Sequence, residues 1–378
     1  MKRILILGGS YLQNHFIKTA LNLGIKVFVI DGNSHCYAAI NGLGEFYPID
    51  FSKIEIVKNF CIEKKINTII PPVNELGNLI AAKIAAELNF YYNSVAVVRC
   101  SMDKKLFWEK LEISNFNKLK SYTIDKLGTI QYPVIVKPTV STGSKGVSLV
   151  RNFEEVKKAI DYAKQFGKTD DIRIEEFIDG NQFSLETISF KGKHYLLAVI
   201  EEHLSNEPYF FERTDILDSE QHDSNCNYFT PFVDLLLTNL GVECGPCHIE
   251  VRVKDDKIYL IDFATRSGGW RDIMLYNAGI NYNLLILKCY LEEDVFRKEL
   301  DRPNNTVGAG ILLYHEDILA LKAAQESNKI CESFINGEVP KLEPRTLADA
   351  YGYYFVKSNK KNELVGILPK FKLNIHGK

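Results

Sequence analysis

The chain has 378 residues, 46% of them hydrophobic and 25% charged, an ordinary globular composition too long for one small core, so two or three domains are expected. Its 46 basic and 48 acidic residues nearly cancel to a formal net charge of −2, which excludes a polycationic surface for nucleic acid or an anionic membrane and points to small-molecule partners. Eight irregularly spaced cysteines without a secretion signal fit reduced thiols, so a cytoplasmic protein without disulfides is expected.

The first element, Ile4-Leu5-Ile6-Leu7 after a basic start, is the length of a strand and not of a signal sequence. No later stretch approaches the roughly 18 uninterrupted apolar residues of a membrane helix. Gly8-Gly9-Ser10 then turns into an amphipathic helix to about Leu23, followed by the strand Lys26–Asp31, which makes a βαβ unit. A helix near Ile54–Glu63, the strand Thr68–Pro71 and an alanine-rich helix after Glu75 continue the alternation. Residues 1–95 are therefore expected to form a small parallel-sheet, Rossmann-like α/β domain with helices on both faces.

After Asp103 the pattern changes to α+β. A helix over Lys104–Leu111 leads to the strand Val134–Lys137, the turn Ser141–Gly146 and the strand Val147–Val150, read as an antiparallel hairpin. A helix over Glu154–Phe166, the strand Ile172–Glu176 and the strand pair Phe183–Phe190 and Tyr195–Ile200 follow. The polar, aperiodic stretch 204–231 is expected to be a long functional loop with one short helix. A helix Val233–Leu240 and the strands Cys247–Val253 and Lys257–Phe263, joined at Lys254-Asp255-Asp256, complete a domain over 96–303. Residues 304–378 are expected as a separate small β-rich lobe with a helix at Glu316–Glu326.

Gly8-Gly9-Ser10 with Asp31 ending the next strand imitates a dinucleotide fingerprint, but no third glycine follows, and a tight βα turn is the preferred reading. Lys137 ends an apolar strand, where an unpaired cation is costly, and Ser141-Thr142-Gly143-Ser144-Lys145-Gly146 offers backbone N–H groups to a phosphate. A phosphate flap and a plain flexible turn are equally open at this point. His248 and Glu250 share one strand face, and the fold-back at Lys254–Asp256 sets Asp262 roughly opposite Glu250. Two facing carboxylates repel unless a cation lies between them, and hard oxygen ligands suit Mg²⁺. Arg266, Gly268 and Gly269 lie just past that strand. Cys244-Gly245-Pro246-Cys247-His248 matches a haem-attachment spacing, but without an export signal haem is rejected, and zinc lacks its second ligand pair.

In this order, these residues resemble the ATP-grasp superfamily, in particular its carboxylate–amine ligases, over residues 1 to about 300. The resemblance implies an N-terminal pre-ATP-grasp domain, a central ATP-grasp domain and a small C-terminal lobe. It matches Asp103-Lys104 to an ATP-contacting lysine at a helix start, and Lys137 with Gly143, Ser144, Lys145 and Gly146 to the strand lysine and phosphate flap. Glu175, Glu176, Phe177 and Ile178 match the adenine hinge and Gln182 the ribose position. Glu250 and Asp262 match the metal carboxylates, with Mg²⁺ expected and Mn²⁺ as the alternative. Ala264 stands where the family places an asparagine ligand, and Gln182 brings no charge where an acid is common.

The implied activity is ATP-dependent joining of a small carboxylate, such as an amino acid or sugar acid, to an amine through an acyl phosphate, with release of ADP. Lys137 and Arg266 are the expected catalytic residues, Arg266 stabilising the acyl phosphate or its tetrahedral successor. The alternatives are a purine-pathway ligase or carboxylase on the same fold, and a nucleotide-binding regulator without turnover. A homodimer is one option for assembly.

Overall fold

The computed structural model describes residues 1–111, 119–123, 128, 130–167, 171–293, 306–336, 344–365 and 367–369. Strands β1 (Arg3–Leu7), β2 (Lys26–Ile30), β3 (Glu45–Tyr47) and β4 (Thr68–Ile70) form a parallel sheet in the order β3-β2-β1-β4. Ile4 and Ile6 pack with Phe16 and Ile17 of the helix Asn14–Asn22, while Leu5 and Leu7 pack with Val57, Ile80 and Ile84 from helices Ile54–Lys64 and Glu75–Leu88. Both faces are covered, which is why the strand is apolar at consecutive positions.

Strands β5 (Ser121–Tyr122), β6 (Val134–Pro138), β7 (Ser148–Val150) and β8 (Ile172–Glu176) form a small antiparallel sheet in the order β5-β8-β6-β7. Val134, Val136, Val150 and Ile174 pack against Val156, Ala159 and Ala163 of the helix Phe153–Phe166. Alternation then turns Ile135, Lys137 and Glu175 to the other face, towards a cleft.

The third sheet has the order β13-β12-β9-β10-β11-β14-β16-β15. Its members are β9 (Asn181–Phe190), β10 (Lys193–Leu204), β11 (Glu212–Asp218), β12 (Cys244–Lys254), β13 (Lys257–Ala264), β14 (Val307–Leu313), β15 (Ile330–Ile335) and β16 (Gly352–Ser358), all paired antiparallel. Asp255 and Asp256 adopt φ of 49° and 56°, the pair of left-handed residues a tight two-residue hairpin turn between β12 and β13 requires.

Two expectations are corrected here. The stretch 204–231 is not a long loop: it contains β11 and the first half of a helix, His222–Leu240. Their pattern was hidden because β11 buries Arg213, Thr214 and Asp215 beside only two apolar residues, Ile216 and Leu217, and because the helix starts with polar turns and carries an exposed Pro231. Phe229, Val233, Leu236, Leu237 and Leu240 form its buried stripe. Nor do residues beyond 304 stand apart as a lobe, since β14 pairs with β11 from Thr214↔Ile311 to Asp218↔Val307 and carries β16 and β15 with it. With β11 unseen, the edge they extend could not be anticipated. The helix expected at Glu316–Glu326 runs over Ile318–Glu326. The boundary expected at 303/304 lies outside the described residues, and that at 95/96 falls on the first turn of the helix Val95–Met102.

Gly180 joins the hinge to β9, and a Cβ built there would lie 2.3 Å from the Val253 carbonyl oxygen of β12. Gly180→Ala should therefore cost about 1–3 kcal/mol of stability through overpacking. Gly128→Ala, where a methyl meets nothing within 4 Å among the described residues, should leave the thermal unfolding midpoint unchanged when the two are compared by circular dichroism.

Candidate functional site

A cleft opens between the small sheet and the β9–β12–β13 edge of the large one. Of the residues singled out from sequence, Lys104, Lys137, Gly143, Ser144, Glu175, Glu176, Phe177, Ile178, Gln182, Glu250 and Asp262 line it. Lys145, Gly146 and Arg266 do not. Gly146, at φ 78°, packs under Pro138 and Ala163, so its glycine serves the turn's backbone. Arg266 is engaged elsewhere, donating to the Ser267 carbonyl at 2.9 Å and to Glu75 Oε1 at 3.3 Å.

Glu250 and Asp262 occupy directly opposed positions on β12 and β13, as the hairpin reading required. Lys104 Nζ lies 2.9 Å from Asp262 Oδ2. Burial alone would lower the Lys104 ammonium, but the Asp262, Glu75 and Glu250 carboxylates override it and raise its pKa. Lys137 goes the other way: burial dominates, Glu175 opposes it, Lys104 adds to it, and the net shift is downward. Lys137 is ion-paired to Glu175 Oε1, while Arg173 Nε holds Glu175 Oε2 at 2.6 Å. Burial raises the Asp262 carboxyl, yet Lys104 and Lys137 bring it below the ordinary value. Glu250 and Asp262 keep 31% and 34% of their side chains exposed to the cleft, so a facing pair of hard oxygen donors is available to a divalent cation such as Mg²⁺.

His248, on the same face as Glu250, is clamped between Glu186 Oε1 at 2.5 Å and Glu250 Oε1 at 3.4 Å. Burial lowers its pKa, but Glu186 and then Glu250 hold it up at about 10, so it is an imidazolium at neutral pH. Gly268 lets the chain pass beside this pair, since a Cβ there would lie 2.8 Å from His248 Nδ1 and 2.5 Å from Arg271 Cγ.

The most heavily paired group of the site is one the sequence reading passed over. Arg271, 2% exposed, pairs with Glu186 of β9, Glu202 of β10, and Glu212 and Asp215 of β11. Glu202, Glu212 and Asp215 place their oxygens within 4.8 Å of one another, as if for a metal, but the guanidinium already fills the space between them. Burial, then Glu250, push Glu202 up to about 7 against the pull of Arg271, and burial raises Asp215 well above the carboxylate range. Arg252, two residues past Glu250, lies 4.9 Å from the Phe177 ring centroid and 5.3 Å from that of Phe210, and donates to the Ile178 carbonyl at 2.8 Å. For the β9 partners the signal was present as polar side chains at alternate positions, Gln182, Ser184 and Glu186.

The rival motifs close off structurally. Asp31 Oδ2 accepts the Gly9 N–H at 2.9 Å, so the acid that would face a ribose is engaged by the turn itself, and Gly9 is a glycine because a Cβ there would lie 2.6 Å from the Cys36 sulfur. Cys244 and Cys247 face different cores, and His248 faces Glu186, so the three do not converge on a metal or haem.

Residues 130–273 match the family model of the ATP-grasp domain. The chain is 28% identical over 207 residues to a formate-dependent phosphoribosylglycinamide formyltransferase of Francisella tularensis, covering 50% of this chain and 52% of that protein. It is 27% identical over 195 residues to a D-alanine–D-alanine ligase of Flavobacterium psychrophilum, covering 47% and 57%. The chain thus spans about half the length of these curated relatives. Among solved structures, the L-amino acid ligase of Bacillus licheniformis superposes with a TM-score of 0.79 at 19% identity, over 97% of this chain and 95% of that one. The phosphoribosylglycinamide synthetase of Anaerococcus prevotii gives 0.74 at 19%, over 97% and 96%. The chain has the fold of these solved structures, and residues 130–273 match the ATP-grasp domain model.

Replacing Arg271 with methionine strands three buried carboxylates, Glu186, Glu202 and Asp215, and the partly exposed Glu212. The expected loss is about 3–5 kcal/mol at neutral pH. An acid whose folded pKa is raised above its unfolded one destabilises the protein when ionised, so the loss should shrink as pH falls below the value of about 7 held by Glu202 and the carboxyls take up protons. Urea unfolding across that range checks the sign; a deficit independent of pH would contradict it.

Proposed function

We propose that this protein is an ATP-dependent carboxylate–amine ligase, releasing ADP and working through an acyl phosphate. The observation that carries the reading is the convergence of Lys104, Lys137, Glu250 and Asp262 in one cleft, between a glycine-bearing flap and the hinge Glu175–Ile178.

A carboxylate is a poor acyl donor because oxide is a poor leaving group; its mixed anhydride with phosphate is a good one, since an amine attacking the acyl carbon displaces inorganic phosphate. In this reading Glu250 and Asp262 hold Mg²⁺, which when bound neutralises charge on the phosphate oxygens. Lys104 and Lys137 clamp the phosphates with the flap backbone around Gly143 and Ser144. Their charges are supplied without solvent reorganisation, because Asp262 and Glu175 already orient both ammonium groups. Phe177 and Ile178 bound the base, and Gln182 stands at the ribose. Arg266 reaches the acyl phosphate only if its bond to Glu75 opens; in the resting arrangement it fixes the loop behind the metal strands.

The substrates proposed are amino acids or similar small acids and amines. A purine-pathway ligase is the second reading, favoured by the formyltransferase relatives. Against it stands Arg213, next to the cleft-lining Glu212, which is committed to Glu316 and Asp317 and so is engaged rather than offered to a phosphorylated acceptor. ADP release measured with amino-acid pairs, and separately with a glycinamide ribonucleotide and formate, decides between them; no ADP with any acceptor would favour a nucleotide-binding regulator.

Glu250→Gln and Asp262→Asn should each lower Mg-dependent ADP formation by about 100-fold or more while preserving the circular dichroism spectrum, since each removes one charge and little volume. Normal turnover in either would sink the metal assignment. In the unaltered protein, Mg–AMP-PNP should slow amide exchange at 141–146 and 175–178 and leave 8–12 unchanged. Protection confined to 8–12 would instead move the nucleotide to the Gly8-Gly9 turn.

A further inference from the structure

On its cleft face the large sheet carries one row of polar side chains across four adjacent strands. Arg252 of β12 is in register with Gln182 of β9, Gln182 with Glu202 of β10, and Glu202 with Asp215 of β11. All four are at least nine-tenths buried. Arg252 Nε donates to Gln182 Oε1 at 3.0 Å, and Gln182 Nε2 donates to Glu202 Oε2 at 2.8 Å. Glu202 Oε1 accepts from Arg271 at 2.6 Å, and Arg271 reaches on to Asp215. At one end Arg252 grips the hinge through the Ile178 carbonyl and the Phe177 ring. At the other, Arg271 anchors the loop that follows the metal strands and carries Arg266.

Chemistry fixes the direction of this row. Arginine can only donate and an ionised glutamate can only accept, so Gln182 must turn its oxygen to Arg252 and its nitrogen to Glu202. Among the described residues, Glu202 is where the two halves meet, one oxygen bonded towards the hinge and the other towards Arg271.

We propose that Glu202 is a positioning residue that holds the nucleotide hinge at 177–178 and the 266–271 loop in one fixed relation, so that both ends of the cleft are set by a single buried carboxylate. What the two ends bind rests on the ligase reading; the tie between them does not. In a buried row each bond orients the next, so an error at Glu202 must travel. Glutamine at 202 would keep its oxygen for Arg271 and present a nitrogen to the Gln182 nitrogen. If Gln182 turned over to relieve that, its nitrogen would face the Arg252 N–H, and the conflict would arrive at the hinge.

The row therefore predicts a reciprocal exchange. Glu202→Gln places donor against donor and Gln182→Glu places acceptor against acceptor. The double variant carries the same atoms and charge as the native pair, and restores an acceptor for Arg252 and Arg271 with a donor between them. The readout is amide exchange of the unliganded protein at 177–180 and 265–271, at about pH 8.5, where Glu202 is ionised. Each single variant should speed exchange at both segments about tenfold, and the double variant should return both to within about threefold of the native rate. Mg–AMP-PNP affinity should follow the same order, falling about tenfold in each single variant and recovering in the double. Exchange hastened at 265–271 alone, or a double variant as impaired as either single one, overturns the proposal. Should a single variant melt as a whole, the double decides, by recovering its melting point and its local exchange or failing to. Native protein that does not bind Mg–AMP-PNP would remove the ligase reading and leave the exchange comparison standing.

Discussion

One guanidinium buried among four carboxylates organises this molecule. Arg271 takes partners from three successive strands of the large sheet, and itself opens the helix Arg271–Asn277 that packs into the core shared with the N-terminal sheet. Four acids around one cation is more negative charge than it neutralises, which is why burial holds Glu202 and Asp215 above the usual carboxylate range. Such a cluster contributes little to net stability compared with an apolar core, but it tolerates almost no rearrangement, because any partner that leaves exposes another buried charge. The backbone of β9, β10, β11 and the 265–271 loop is thereby held to one geometry, and the cleft is built on that geometry.

The cleft itself divides its charges by element. The small sheet brings Lys137 with Glu175, the helix Lys104–Leu111 brings Lys104, and the β12–β13 hairpin brings Glu250 and Asp262. Each cation is paired across to an acid, so neither ammonium floats, and Lys104 is held charged by the same Asp262 that faces Glu250. The N-terminal domain takes part through Glu75, next to the side-chain-capped start of its helix, and through Asn78, which donates to the Thr265 carbonyl at 2.9 Å. The loop carrying Arg266 is thus gripped from both sides, by Arg271 within the sheet and by residues 75–78 from outside.

Much of this was legible in the sequence, and where it was not, one cause recurs. The parallel domain could be read because Ile4–Leu7 and Val27–Ile30 are buried on both faces and therefore apolar throughout. The rough opposition of Glu250 and Asp262 followed from strand alternation and a fold-back at Lys254-Asp255-Asp256. By contrast, β11 buries an arginine, a threonine and an aspartate, so its polarity imitated a loop, and Arg271 on a short helix had no periodic neighbours to mark it. Burial with partners inverts the polarity code on which such reading depends, and the partners of Arg271 come from residue 186 to residue 215, beyond any local window. Gln182 shows a subtler limit: its place in the cleft was readable, but not that both ends of its amide are spoken for by Arg252 and Glu202.

The junction of β11 with β14 bears on where the chain could be cut. A fragment ending before residue 304 would keep every residue of the Arg271 cluster, yet it would leave Thr214–Asp218 as a bare edge, with backbone groups that β14 now satisfies. Asp215, fully buried in the intact sheet, would then sit beside an open flank, and water reaching it would weaken the charge cluster from the side. The segment that matches the ATP-grasp model thus shares its large sheet with strands from beyond residue 306, which places a long loop closure ahead of the final assembly of the site.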